Sequence, residues 1–180
     1  MNEQLSWVQW WAYPWRSAHT DWDVVDKYCA LDALCRSKHA LMGTALGIQS
    51  CLPATPQITV LRLALASTAQ LELMLALLGD TCHRSIDGSL SETQHLWCLR
   101  LSKALSMDTL LSDNDDPLQL LRAWVEPTVW QRLRLRFARH RVLALEQNTH
   151  TFEDPHSRLD TLWQAVVWRI TTTTNEEYLL

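Results

Sequence analysis

Apolar residues crowd most densely into residues 58–79, ITVLRLALASTAQLELMLALLG. Leu61, Leu63, Leu65, Leu71, Leu73, Leu75, Leu77 and Leu78 leave no wide polar stripe at a helical period, so the pattern predicts a helix buried on most of its circumference. Pro56 before the run and Gly79 at its end serve as punctuation, because proline cannot continue a helix backwards and glycine accepts a left-handed cap. A length of about 20 residues would also suit a bilayer. Arg62 and Glu72 lie inside the run, with Ser67, Thr68 and Gln70 at its centre, and ionisable groups are expensive to insert into lipid. The reading is a buried helix in a water-soluble bundle.

Shorter helices are expected around it. Trp7, Trp10 and Trp11 stand at i, i+3, i+4 on a short helix that stops before Pro14. Thr20 and Asp23 mark the start of a helix over 21–46 carrying Val24, Tyr28, Leu31, Leu34 and Cys35, its end weakened by Gly43 and Gly47. CLPATPQ at 51–57 is a loop. Ser91 with Gln94 has the capping-box pattern and opens a helix through Leu96, Trp97, Leu101, Ala104 and Leu105 to about Met107.

The acidic run SDNDD at 112–116 is a solvated connection, and Asp116-Pro117 opens a short helix with Leu118, Leu121, Trp124 and Val125. A further helix is expected from Pro127 through Gln147. Within it Arg132, Arg134 and Arg136 alternate with Leu133, Leu135 and Phe137 like a strand, but Val129, Trp130, Leu133, Phe137, Ala144 and Leu145 keep a helical face over the wider window. Asp154-Pro155 begins the clearest amphipathic helix, with Leu159, Leu162, Trp163, Val166, Val167 and Ile170 on one side. Thr171 to Thr174 are β-branched and should let the tail fray. The sum is an all-α, single-domain irregular bundle of six or seven helices around a buried central helix. It would span 1–170, with a tryptophan-rich segment at 1–20 and a frayed tail at 171–180.

Composition narrows the function. Only 4 glycines occur in 180 residues, which disfavours phosphate-cradling loops and hairpin-rich sheets. A net charge of -4 supplies no global attraction to nucleic acid or anionic lipid. Cys29, Cys35, Cys51, Cys82 and Cys98 are odd in number and follow no paired spacing, and MNEQLSWVQWW does not read as a signal peptide. Free thiols in a reducing cytoplasm are expected.

Candidate chemistry is sparse. Cys82, His83, His95 and Cys98 form the best metal-ligand set, but adjacent Cys-His is awkward for one ion and recognised zinc spacings are missing. There is no nucleophile elbow, H-E-x-x-H, Walker loop or dinucleotide fingerprint, so neither an enzyme nor a cofactor is expected. Two clusters stand out as candidate partner-binding residues. Trp7, Trp10, Trp11 and Trp15 either cover the end of the core or anchor a partner, tryptophan being common among interface hot spots. Arg132, Arg134, Arg136 and Arg139, with Arg141 and His140, allow three readings: a solvated face paired to neighbouring acids, a nucleic-acid-contacting helix, or docking to an acidic protein beside Trp124 and Trp130.

The run Gln70-Leu-Glu-Leu-Met-Leu-Ala-Leu-Leu-Gly79, followed by His83-Arg84 and the polar helix start near Ser91, resembles the central segment of the SctK family. These are adaptors of the cytoplasmic sorting platform in bacterial type III secretion systems. The resemblance covers about Gln70 to Leu111, with a weaker echo in the Trp and Arg pattern of 125–145. It implies a non-enzymatic cytoplasmic protein linking the cytosolic domain of an SctD-like inner-membrane ring protein to an SctQ-like pod protein, without inserting into the membrane. The alternative from a different class is a helical nucleic-acid-binding regulator using the helix from Arg132 to Arg141.

Overall fold

A computed structural model of the chain describes residues 3–22, 39–83, 90–107, 111, 115–147 and 156–177. Every regular element among them is helical. In chain order these are α1 (Glu3–Ala12), a 3-10 turn (Pro14–Ser17), α2 (His39–Ala45), α3 (Ile58–Leu65), α4 (Thr68–Cys82), α5 (Glu92–Leu105), α6 (Leu118–Trp124), α7 (Pro127–Leu133), a second 3-10 turn (Arg134–Arg136), α8 (Arg139–Gln147) and α9 (His156–Glu177). The all-α expectation holds. The residues from Val24 to Cys35 expected at the start of the second helix, Ser112 to Asn114 of the acidic run, and Asp154-Pro155 lie outside the described residues.

The chain divides into two compact units: Met1–Gln57 with Val125–Thr149, and Ile58–Trp124 with His150–Leu180. Each is completed by a segment far away in sequence, which local periodicity does not record. The helix count among the described residues rises, because two expected helices are each broken in two.

The first break falls inside the leucine-rich run, between Leu65 and Thr68. Ser67 is extended (φ -69°, ψ 163°); its hydroxyl accepts from the Gln70 amide at 3.2 Å, and the Gln70 side chain accepts from the Ser67 amide at 2.9 Å. That reciprocal pair is a capping box and satisfies two otherwise orphaned donors. The polar residues at the centre of the run are thus a helix start. Gly79 does not end this helix, which continues to Cys82. It is the point of close approach to Pro117, whose Cγ would stand 3.2 Å from a Cβ at that position.

In the second unit α9 is the common neighbour, packing against α3, α4, α5 and α6. Leu159, Leu162, Trp163, Val166, Val167 and Ile170 are buried along it, and Trp163 stacks on Trp124 of α6 with ring centres 5.3 Å apart. The centre of this unit is therefore the amphipathic last helix rather than the leucine-rich run. The expected fraying is also displaced, since α9 continues to Glu177. The Thr171 and Thr172 hydroxyls donate back to the carbonyls of Val167 and Trp168 at 2.9 and 2.8 Å, which satisfies their polarity within the helix. No helix among the described residues is long and apolar enough to cross a membrane.

In the first unit the helix expected from Pro127 to Gln147 is α7, a 3-10 turn and α8, with the chain turning extended at Phe137 (φ -111°, ψ 158°). The alternating Arg/Leu pattern marks that irregularity. α2 stops two residues before Gly47, whose φ of 65° is the left-handed conformation that glycine accepts without strain.

Candidate functional site

The tryptophan and arginine clusters picked out from sequence meet in the first unit. Helical spacing puts Trp7, Trp10 and Trp11 on one face of α1, and that face is buried. Trp7 lies 5.0 Å from Trp10 and 5.4 Å from Trp11, centre to centre. Trp7 Nε1 donates to the Ala54 carbonyl at 3.0 Å and Trp11 Nε1 to that of Cys51 at 3.1 Å, so two indoles pin the proline-rich loop. Trp15 is 1% exposed, edge-on to Tyr13 and His39. Trp22, also buried, donates to the Phe137 carbonyl at 2.8 Å.

The arginines reach into this cluster because helix ends need donors. The last carbonyls of a helix have no intrahelical partner and carry partial negative charge. α1 and α2 have no basic residue in their own last turns. Arg132, itself buried, supplies the first: Nε donates to the Trp11 carbonyl at 3.1 Å, Nη1 to Thr128 at 2.8 Å and Nη2 to Gln49 at 3.2 Å. Its guanidinium lies 3.9 Å from the centre of the Trp11 ring. Burial lowers its pKa, opposed by the neighbouring Cys51 thiol at 3.9 Å.

Arg134 supplies the second end. Its Nη2 donates to the Leu46 carbonyl at 2.6 Å, and its Nη1 reaches both Glu146 oxygens at 2.8 and 2.9 Å. Glu146 also accepts from Trp130 Nε1 at 2.9 Å. A Cβ on Gly47 would stand 2.9 Å from that same Nη2, so glycine both turns the chain and admits the guanidinium. Arg136 is buried, and burial lowers its pKa.

Of the eight candidate partner-binding residues, Trp7, Trp10, Trp11, Trp15, Arg132 and Arg136 are buried, Arg134 is half-buried, and Arg139 is exposed, with its guanidinium 5.8 Å from the Trp22 ring centre. The arrangement does structural work: flat rings fill the unit, and guanidinium forks close its helix ends. As a track for phosphates it is poor, because a basic face must point to water. The signal for this role lay in what α1 and α2 lack at their ends.

In the second unit the would-be metal ligands are held in other contacts. His95 Nδ1 lies 2.9 Å from Asp80 Oδ2, and the carboxylate is buried while the imidazole is half-buried. Cys98 donates to the Leu77 carbonyl at 3.5 Å. Burial pushes the Cys82 thiol up to about 12, helped by Cys98, and the Cys98 thiol up to about 11. Protonated thiols are weak nucleophiles and weak ligands at neutral pH. Among the described residues no three His, Cys, Asp or Glu side chains are grouped to hold a metal ion.

Some large apolar residues of this unit face outward. Leu96, one of the apolar residues that mark the helix opened by Ser91, is 49% exposed, and Leu99 on the same helix is exposed as well. On α9, opposite the buried stripe, Trp168 is 62% exposed. Between these two helices Arg169 lies 4.8 Å from the centre of the Trp97 ring. No protein-family model, curated protein or solved structure matches the chain.

Proposed function

We propose that this chain is a helical adaptor that acts by contact and not by catalysis, joining an SctD-like inner-membrane ring protein to an SctQ-like pod protein at the cytoplasmic face of a type III secretion system. The observation that carries the contact role is Trp168, a large ring left in water on the polar side of an otherwise well-buried amphipathic helix. Isolated exposed leucines are ordinary, whereas an exposed tryptophan is among the side chains most often found at the centre of an interface. The assignment to secretion rests on the resemblance of Gln70 to Leu111, a stretch that contains most of α4 and all of α5. The inward-turned guanidinium groups lend no support to the nucleic-acid reading of the same chain.

The test is co-elution of the purified full chain with each proposed partner. At about 10 μM, a concentration that populates a specific low-micromolar complex, the SctD-like cytosolic domain and the SctQ-like protein should each shift its elution volume. Binding of neither overturns the adaptor assignment.

A further inference from the structure

The solvent face of α5 is not a solvated polar face. At 100° per residue, Leu96 sits at the middle of its exposed arc, with Glu92, Thr93, Leu99, Arg100 and Lys103 within about 60° on either side. Cys98, buried, points the opposite way. Glu92, in the first turn, is the only acid on the helix. Arg100 and Lys103 make no ion pair or hydrogen bond among the described residues, so no described carboxylate neutralises them. The helix dipole favours cations in the last turn and accounts for Lys103 on its own. It does not account for two leucines set beside the cations.

The stacked pair of Arg169 and Trp97 joins α9 to α5 at the edge of this arc. The chain neighbours of the pair, Trp168 and Leu96, are the two exposed apolar residues that border it. Apolar anchors edged by unpaired cations are complementary to an apolar helix stripe edged by carboxylates.

We infer that α5 and the Trp168 side of α9 form a docking surface for an acidic amphipathic helix of a partner protein. Leu96, Leu99 and Trp168 would receive its apolar stripe, and Arg100 and Lys103 its carboxylates. The inference rests on the adaptor reading in taking a protein as occupant. An anionic bilayer would present its charge to the whole chain of net charge -4, whereas a single helix meets only this locally cationic face.

The probe is a synthetic helical peptide with leucine at i, i+3, i+4 and i+7 and glutamate on the flanks, beside a control with lysine in place of glutamate. Amide and indole shifts of the isotope-labelled full chain report where each binds. The acidic peptide should shift α5 amides and the Trp168 indole, and lowering the salt should tighten binding. Arg100→Glu with Lys103→Glu, or Trp168→Ala, should each weaken it by about tenfold, at unchanged helical content. Equal binding of the lysine peptide, shifts confined to other helices, binding only to phosphatidylglycerol vesicles, or self-association that Leu96→Glu abolishes while the peptide fails to bind would each overturn the proposal. Repeating the co-elution with the Leu96→Glu, Leu99→Glu variant separates the two readings. Undiminished binding of the SctD-like and SctQ-like proteins sinks this surface and spares the adaptor. Peptide docking on α5 without binding of either protein does the reverse.

Discussion

Arg132 contacts Trp11 twice, with its guanidinium 3.9 Å from the centre of the indole and its Nε 3.1 Å from the same residue's carbonyl. Trp11 is one of the last residues of α1, so a single side chain both packs on the helix and closes its end.

Removing that side chain should cost stability. Arg132→Met removes the donor from the buried Trp11 carbonyl, along with the side-chain bonds to Thr128 and Gln49 and the packing on the Trp11 ring, and an unsatisfied buried acceptor alone costs about 1–3 kcal/mol. A loss of about 3 kcal/mol in urea unfolding is expected. Arg132→Lys should recover little of it, since an ammonium cannot match a planar fork that also stacks on a ring. Arg139→Ala, on the exposed side, should stay within about 0.5 kcal/mol of the parent.

The tryptophans separate by whether their indole nitrogen is used. Trp15→Ala should cost about 3–5 kcal/mol by opening a cavity in a buried site. Trp15→Phe should cost much less, because Trp15 Nε1 is buried without a hydrogen-bond partner among the described residues. Trp11→Phe additionally loses the part-buried bond to the Cys51 carbonyl and should be the worse of the two phenylalanine variants. Denaturant midpoints across the three variants decide the order.

Cap residues give a local test of the broken leucine run. Ser67→Ala and Ser91→Ala each remove an acceptor from an N3 amide and should lower stability by about 1 kcal/mol. An unbroken helix from 58 to 79 would instead gain from alanine at position 67, so the sign of the change settles which helix is present.

Alkaline pH should weaken the second unit through its thiols. From an ordinary 9.0, burial raises Cys82 to about 12 and Cys98 to about 11 in the folded chain. Between those limits the folded state holds protons that the unfolded state has released, so stability is full below about pH 9 and falls as pH rises through 11 to 12. The urea midpoint should decline over that window, and less steeply in the Cys82→Ala, Cys98→Ala variant. Peptide-mapped alkylation at about pH 8 should modify exposed Cys51 first and reach Cys82 and Cys98 only once urea is added.

Helical class and most boundaries were legible from period and punctuation. Ser91-Gln94, Pro127 and the stripe from Leu159 to Ile170 all act as their spacing indicates. The break at Ser67 was equally legible in S-x-x-Q, but the leucines around it hid the motif. What sequence could not show was pairing over distance: Arg132 with Trp11, Arg134 with Leu46, and Gly79 with Pro117 are set by the three-dimensional path of the chain. The same distance dependence overturned the reading of the arginines as a solvated face. Arginines look exposed until the carbonyls they close are known, and the side of α5 that Leu96 occupies is settled only when the neighbours of that helix are placed.

The 121 residues separating Trp11 from Arg132 also set an order of events on the ribosome. At roughly 5–20 residues per second, the tryptophan-rich helix leaves the exit tunnel on the order of ten seconds before the side chain that finishes it has been synthesised. During that interval its rings have no native cover from the later segment. A nascent chain stalled before residue 125 should therefore display a sticky amino-terminal end that attracts chaperones, and one released after residue 149 should not.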